Sequence, residues 1–182
     1  MDTLLSDNDL MVKVKDGDFG QMALIFERHH CALYGFIFHM IGNREESEDI
    51  VQNLFLRMLN YRHSFAGTGS FKTWMYHLAR NLLNDYFKKN SKKPYMYPVD
   101  SFEEKNTAEH FGDIEKKQEL QTLQMAMENL SNENRELLML CRYEELKYHE
   151  IADLLGITEG AVKVRVHRAL SQLKNSYLKI AN

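Results

Sequence analysis

Two prolines in 182 residues leave little to interrupt a helix, and nine glycines add few breaks. Runs of alternating β-branched residues are also scarce. These absences argue against a sheet-rich fold and predict an all-α chain. No apolar stretch approaches the roughly 18 residues a membrane span needs, so direct membrane insertion is not expected. The N-terminal MDTLLSDNDLMVKVKDGD is polar and acidic and does not read as a secretory signal. The two cysteines, Cys31 and Cys141, stand single and far apart. Neither has metal-type spacing, so both are expected as buried free thiols in a reducing cytoplasm.

The usual constellations of catalysis are missing too. The chain has no carboxylate pair beside a histidine, no glycine phosphate loop and no nucleophile with its base. His149-Glu150 begins the zinc-protease pattern, but Asp153 stands where the second histidine belongs. The adjacent His29 and His30 point to different faces of a helix and cannot line one site. The sequence therefore predicts a binding protein, with no catalytic residue, metal, cofactor or small-molecule substrate.

What is present is charge in blocks. The net charge of −3 is not spread evenly. Residues 1–60 carry −5, residues 61–93 carry +6, residues 94–157 carry −8 and residues 158–182 carry +4. The basic blocks are candidate phosphate footprints. The acidic ones face solvent or a basic protein partner.

Periodicity organises the first half into three helices. Met22, Phe26, His29, Leu33, Phe36, Ile37 and Met40 mark one face of a helix from about Gly20 to Ile41. Gly42 ends it. Asn43 with Glu46 caps the next helix, which buries Ile50, Val51, Leu54, Phe55 and Met58. HSFAGTGS at 63–70 is a loop. Ser70 opens a third helix with Trp74, Leu78 and Leu82 on its inner face, reaching about Lys89. Both prolines, Pro94 and Pro98, fall in a linker at 90–115. A helix from Asp113 to Asn129 then carries Leu120, Leu123, Met127 and Leu130 on one side. Ser131 opens another, with Leu137, Leu138, Leu140 and Cys141.

The last third is the most informative. Tyr148-HEIADLLG, ITEG and AVKVRVHRALSQL read as a helix, a glycine turn and a second helix. Ile151, Leu154 and Leu155 pack inward, and Gly156 makes the left-handed turn. Thr158 is an N-cap, at a helix end that favours a phosphate. Val162, Val166, Ala169 and Leu173 face the core, which turns Lys163, Arg165, His167 and Arg168 outward. This is the layout of a helix-turn-helix whose second helix enters the major groove. Between 71 and 93, Phe71, Trp74, Tyr76, Tyr86 and Phe87 interleave with cations, a composition suited to unstacked bases. Tyr76 is expected to be exposed, one turn from Arg80. The acidic helix SEDIVQNLF exposes Glu48, Asp49, Gln52 and Asn53, either a docking surface or a plain solvated face.

These pieces, in this order, resemble an RNA polymerase sigma factor of the extracytoplasmic-function type. Asp49-Ile-Val-Gln52-Asn-Leu-Phe55 resembles that family's Asp-x-x-Gln-x-x-Phe helix. Phe65-Ala-Gly67-Thr-Gly-Ser70-Phe71-Lys-Thr-Trp74, with Ala79-Arg80-Asn81, resembles its promoter-melting segment. Gly160, Val162, Lys163, Arg165, His167 and Arg168 resemble its −35 reader.

The resemblance implies a two-domain organisation: residues 1–90 as region 2, 91–115 as a linker and 116–182 as region 4. It implies a dissociable subunit that binds core RNA polymerase and promoter DNA. The 47–58 helix, with Glu48, Asp49, Gln52, Asn53 and Phe55, would dock on the clamp coiled coil of the largest subunit. Phe65, Gly67, Ser70, Lys72, Trp74, Tyr76, Arg80, Asn81 and Lys88 would capture and hold the melted −10 strand. Thr158, Glu159, Gly160, Lys163, Val164, Arg165, His167 and Arg168 would read the −35 element. The linker would thread toward the active-site cleft, and the 116–146 helices would meet the flap of the second-largest subunit. An anti-sigma factor is an expected partner, one that could hold the protein at the membrane. The competing reading is a dimeric helix-turn-helix regulator on palindromic DNA.

Overall fold

The computed structural model describes residues 5–90 and 113–181, with side chains from residue 118 onward in the second stretch. Every regular element among them is helical. They form two units. The linker expected around 91–115, with Pro94, Tyr95, Tyr97 and Pro98, lies outside the described residues as far as 112.

The first unit opens with a helix that periodicity in the N-terminal segment had not revealed, α1 (Asp7–Lys15). Ser6 and Asp9 form a reciprocal capping box, each side chain meeting the other's backbone N–H at 3.2 Å. Leu10, Met11 and Val14, at helical spacing, are completely buried. Three helices follow: α2 (Gln21–Ile41), α3 (Arg44–Asn60) and α4 (Phe71–Asn90). Gly42 ends α2 at φ 70°, in the left-handed region where a Cβ is costly. The Asn43 side chain accepts the Glu46 N–H at 3.0 Å and starts α3. A single 3₁₀ turn (Arg62–Ser64) leads into the loop before α4. Helix α1 packs on α2 and α4, and α3 bridges α2 and α4. The Tyr86 hydroxyl donates to Glu46, and Arg57 reaches Asp85 at 3.2 Å, tying α4 to α3.

Two faces differ from the sequence expectation. In α2, Ile25 takes the interior place expected of Phe26, which is 41% exposed. Phe26 instead stacks on His30 at 4.7 Å and tilts against Phe55 at 4.8 Å. In α4 the buried set is Phe71, Met75, Tyr76, Ala79 and Leu83, one residue on from Trp74, Leu78 and Leu82, which lie half-buried on the flank. Both stripes satisfy helical spacing. The choice between them is made by the helices that pack on α4, namely α1, α2 and α3.

The second unit comprises α5 (Asp113–Glu128), α6 (Asn132–Leu138), α7 (Tyr148–Leu155) and α8 (Glu159–Ala181). A π turn (Met139–Tyr143) extends α6. Ser131 caps α6 by accepting the Asn134 N–H. Helix α8 is the spine, against which α5, α6 and α7 all pack. Asn129 reaches Ser176 at 3.0 Å, and Asn134 reaches Gln172 at 2.7 Å. Leu120 is 66% exposed; within α5 Ala126 is buried with Leu123 and Met127 half-buried, and Leu130 is buried just beyond its end. Neither thiol is buried as expected: Cys31 is exposed and Cys141 half-buried.

Candidate nucleic-acid and polymerase interfaces

The helix-turn-helix forms as its residues dictate. The Glu150 carboxylate accepts the Lys147 N–H at 2.9 Å, capping the start of α7. Gly156 ends α7 at φ 65°, and the Ile157 N–H returns to the Ala152 carbonyl at 3.0 Å. Thr158 then caps α8, its Oγ1 accepting the Ala161 N–H at 3.2 Å. Ile151, Ala152 and Leu154 of α7 meet Val162, Val166 and Ala169 of α8 in the interior.

Burying that stripe leaves Lys163, Val164, Arg165, His167 and Arg168 exposed on the opposite side. Val164, half exposed among cations, offers an apolar spot of the kind that meets a thymine methyl. Thr158, Glu159 and Gly160 are exposed at the helix N-terminus. Lys163 bridges Glu159 at 3.1 Å, a solvated pair of little energetic weight. Glu159 therefore sits on the helix end where sequence reasoning placed a phosphate. A Cβ on Gly160 would meet nothing within 4 Å, and its φ is not in the left-handed region. The fold itself does not ask for glycine at this position.

In the first unit, the loop between the 3₁₀ turn and α4 is held from several sides. The Phe65 ring is buried, 5.4 Å from Trp74 and 6.1 Å from Phe71. The Trp74 indole N–H donates to Ser64 Oγ at 3.1 Å. Gly67 sits at φ 79°, where glycine is the economical residue. Ser70 Oγ accepts the Thr73 N–H at 3.3 Å and starts α4. Ala66, Thr68 and Gly69 are left exposed at the tip.

The melting residues named from sequence thus divide. Asn81 and Lys88 are exposed, and Gly67, Ser70, Lys72, Trp74 and Arg80 are partly so. Phe65 and Tyr76 are interior. Tyr76, expected on the surface, is fully buried with its ring edge-on to Phe36 at 5.1 Å. Both stand behind the surface and support it.

On α3 the acidic face is displayed as expected. Glu48, Asp49, Gln52 and Asn53 are exposed, and Phe55 is buried beneath them. Arg44 pairs with Glu48 at 3.3 Å.

Sequence reasoning missed Asn8 and Lys15 of α1. Asn8 Nδ2 donates to the Gly69 carbonyl at 2.7 Å, and Asn8 Oδ1 accepts the Phe71 N–H at 2.9 Å. Lys15 Nζ donates to the Phe65 carbonyl at 2.8 Å. The Ser6-x-x-Asp9 box ahead of Leu10, Met11 and Val14 is the signal that reveals this helix. The same helix carries Asp7, which accepts from Arg28 at 2.7 Å and pairs with His29 at 2.8 Å. Burial pushes the Asp7 carboxyl up, but the hydrogen bonds and charges of Arg28 and His29 outweigh it and hold the carboxyl below its usual range.

Comparison with known proteins agrees with this arrangement. The Sigma-70 region 2 family matches residues 25–93, and the Sigma-70 region 4 family matches residues 120–173. The chain is 30% identical to the extracytoplasmic-function sigma factor SigW of Bacillus subtilis, covering 91% of this chain and 96% of SigW. It is 26% identical to the sigma factor YlaC of Bacillus subtilis, over 85% and 91% of the two chains. Against the sigma-E factor of Escherichia coli it is 25% identical, over 96% of each. Two solved structures share the fold. CnrH, in complex with the cytosolic domain of CnrY, has a TM-score of 0.71 at 19% identity, over 93% of this chain and 95% of that one. The sigma factor RpoE of Bartonella quintana, with the anti-sigma factor NepR, scores 0.69 at 23%, over 91% and 99%. Both regions are matched in order, and a relative of nearly equal length shares three residues in ten. The chain belongs to the extracytoplasmic-function family of RNA polymerase sigma factors, which bind core polymerase and direct promoter-specific initiation.

Proposed function

We propose that promoter recognition divides between the two units by named residues. Lys163, Arg165, His167 and Arg168 of α8, with Glu159 and Val164, enter the major groove at −35, while Thr158 and Gly160 approach the backbone. The 65–70 loop receives an unstacked −10 base. Lys72, Trp74, Arg80, Asn81 and Lys88 then hold the opened strand by charge and stacking. The Glu48, Asp49, Gln52 and Asn53 face of α3 docks on the polymerase clamp, with Phe55 beneath it. The observation that carries this reading is the pair of exposed surfaces described above: a cationic helix face in one unit and a braced loop tip in the other.

The protein acts within an assembly. Opening about ten base pairs costs on the order of 14 kcal/mol, at roughly 1.4 per step. Each stacked base returns about 1–3 kcal/mol, and a good bidentate base contact a similar amount. Two or three captured bases fall short, and a net charge of −3 gives the free chain little general attraction for DNA. Core polymerase supplies the balance. The protein itself carries out no catalytic step and needs no small-molecule substrate. Its partners are core polymerase, promoter DNA and an inhibitory protein of the anti-sigma kind, as CnrH and RpoE are seen with partners. Its place of action is the cytoplasm. Among the described residues no helix is long and apolar enough to cross a membrane.

Permanganate reactivity of promoter thymines tests the division. The holoenzyme is expected to open the −10 region, and the free protein to leave it closed. Opening by the free protein overturns the proposal.

A further inference from the structure

The loop assigned to base capture is not held by its own hairpin alone. Hydrogen bonds from α1, 50 to 63 residues away in sequence, hold it at both ends. The Asn8 carboxamide bonds to both ends of the last turn: its N–H to the Gly69 carbonyl at 2.7 Å, its oxygen to the Phe71 N–H at 2.9 Å. Lys15 Nζ holds the Phe65 carbonyl at 2.8 Å, at the other end of the loop. Between them, Val12 Cγ2 lies 3.5 Å from where a Cβ on Gly67 would be.

We propose that Asn8 is a positioning residue for −10 recognition: it presets the 65–70 loop in the shape that receives the unstacked base. The inference rests on the base-capture reading of that loop. The physical reason is conformational entropy. Each backbone residue ordered at the moment of binding consumes an amount comparable to what a stacked base returns. A loop already fixed at both ends avoids much of that loss. Asparagine suits the task because one planar amide offers a donor and an acceptor side by side. Aspartate keeps the acceptor for the Phe71 N–H but sets a carboxylate oxygen against the Gly69 carbonyl.

The test uses holoenzymes of the wild type, Asn8→Ala, Asn8→Asp and Ala66→Asp. The probe is a labelled single strand carrying the non-template −10 sequence of one of its promoters, alongside copies with one abasic site at each position. Wild type is expected to lose affinity sharply at one abasic position. Asn8→Ala and Asn8→Asp should bind the intact strand about five- to tenfold more weakly, the loss of about 1–1.4 kcal/mol. They should also show a smaller penalty at that same abasic position, with −35 duplex affinity unchanged. A purely structural role would lower thermal stability and leave the abasic penalty as in wild type, which overturns the proposal. Ala66→Asp separates the two layers. If it weakens the intact strand while both Asn8 variants keep the full penalty, the brace fails and base capture stands. If Ala66→Asp binds normally, base capture by this loop fails and the brace falls with it. Should Asn8→Ala not fold, Asn8→Asp carries the comparison.

Discussion

The Nη2 of Arg135 donates to the backbone carbonyl of Glu128 at 2.8 Å, across the break between α5 and α6. The same guanidinium reaches the carbonyls of Met127 at 3.1 Å and Leu130 at 3.3 Å. A side chain in the middle of α6 thus satisfies the carbonyl end of the helix before it, where a cation also complements the dipole. Only 4% of Arg135 is exposed, so no water is at hand to replace it.

Arg135→Ala should therefore cost about 2–4 kcal/mol, since it strands buried carbonyls and leaves a cavity. Lysine should recover little of this, because its point charge cannot fork to three oxygens. Circular dichroism in urea measures the loss. Trp74, the one tryptophan of the chain, lies in the other unit and reads that unit separately. A wild-type midpoint for Arg135→Ala would show that the helix end finds other partners.

Acid should loosen α1 through Asp7. Its folded carboxyl titrates below its ordinary value, burial being outweighed by Arg28 and His29. A depressed carboxylate stabilises the fold above its unfolded value, near 3.8, and that share is lost as pH falls through the folded value. Asp7→Asn should cost about 0.5–1 kcal/mol at neutral pH, as expected of a partly exposed network. The gap between variant and wild type should close below about pH 4. Urea midpoints across pH measure it, and a gap independent of pH contradicts the assignment.

Gly160→Ala separates folding from recognition. No atom within 4 Å opposes a Cβ there, and alanine favours a helix over glycine by up to about 1 kcal/mol. The variant should melt at the same or a higher temperature. If a phosphate approaches this turn closely, holoenzyme affinity for −35 duplex should fall several-fold. Unchanged affinity would place the backbone elsewhere.

The two surfaces should fail independently. Arg165→Ala or Lys163→Ala should weaken −35 binding by about 1–3 kcal/mol and spare polymerase binding. Losing the Lys163–Glu159 bridge should barely touch stability, since both partners are solvated. Asp49→Lys with Gln52→Ala should abolish polymerase binding and spare the fold, because both side chains are exposed. Gel filtration with core polymerase and duplex titration give the two readouts. A double mutant that still assembles removes the docking face.

How much of this was legible depends on whether a signal is local. Gly42, Asn43, Gly156 and Thr158 act on backbone within four residues, and each ends or caps the helix its position announces. The cationic face of α8 follows from burying Val162, Val166 and Ala169. Long-range choices were not legible in the same way. Whether Phe26 or Ile25 turns inward, or Trp74 or Met75, is one step of a 3.6-residue period, decided by which neighbour arrives. One of those neighbours is α1, hidden in a short acidic segment that reads as a polar terminus. Tyr76 was misplaced for the same reason, its cationic neighbours masking an interior position. Nothing local announces that three carbonyls await Arg135.

The most direct test of the central claim is gel filtration of this protein with bacterial core RNA polymerase, followed by run-off transcription on genomic fragments. The account predicts co-elution and new, discrete transcripts that core polymerase alone does not make. A protein that stays apart from polymerase, forms a stable dimer and shifts duplex DNA unaided would contradict it.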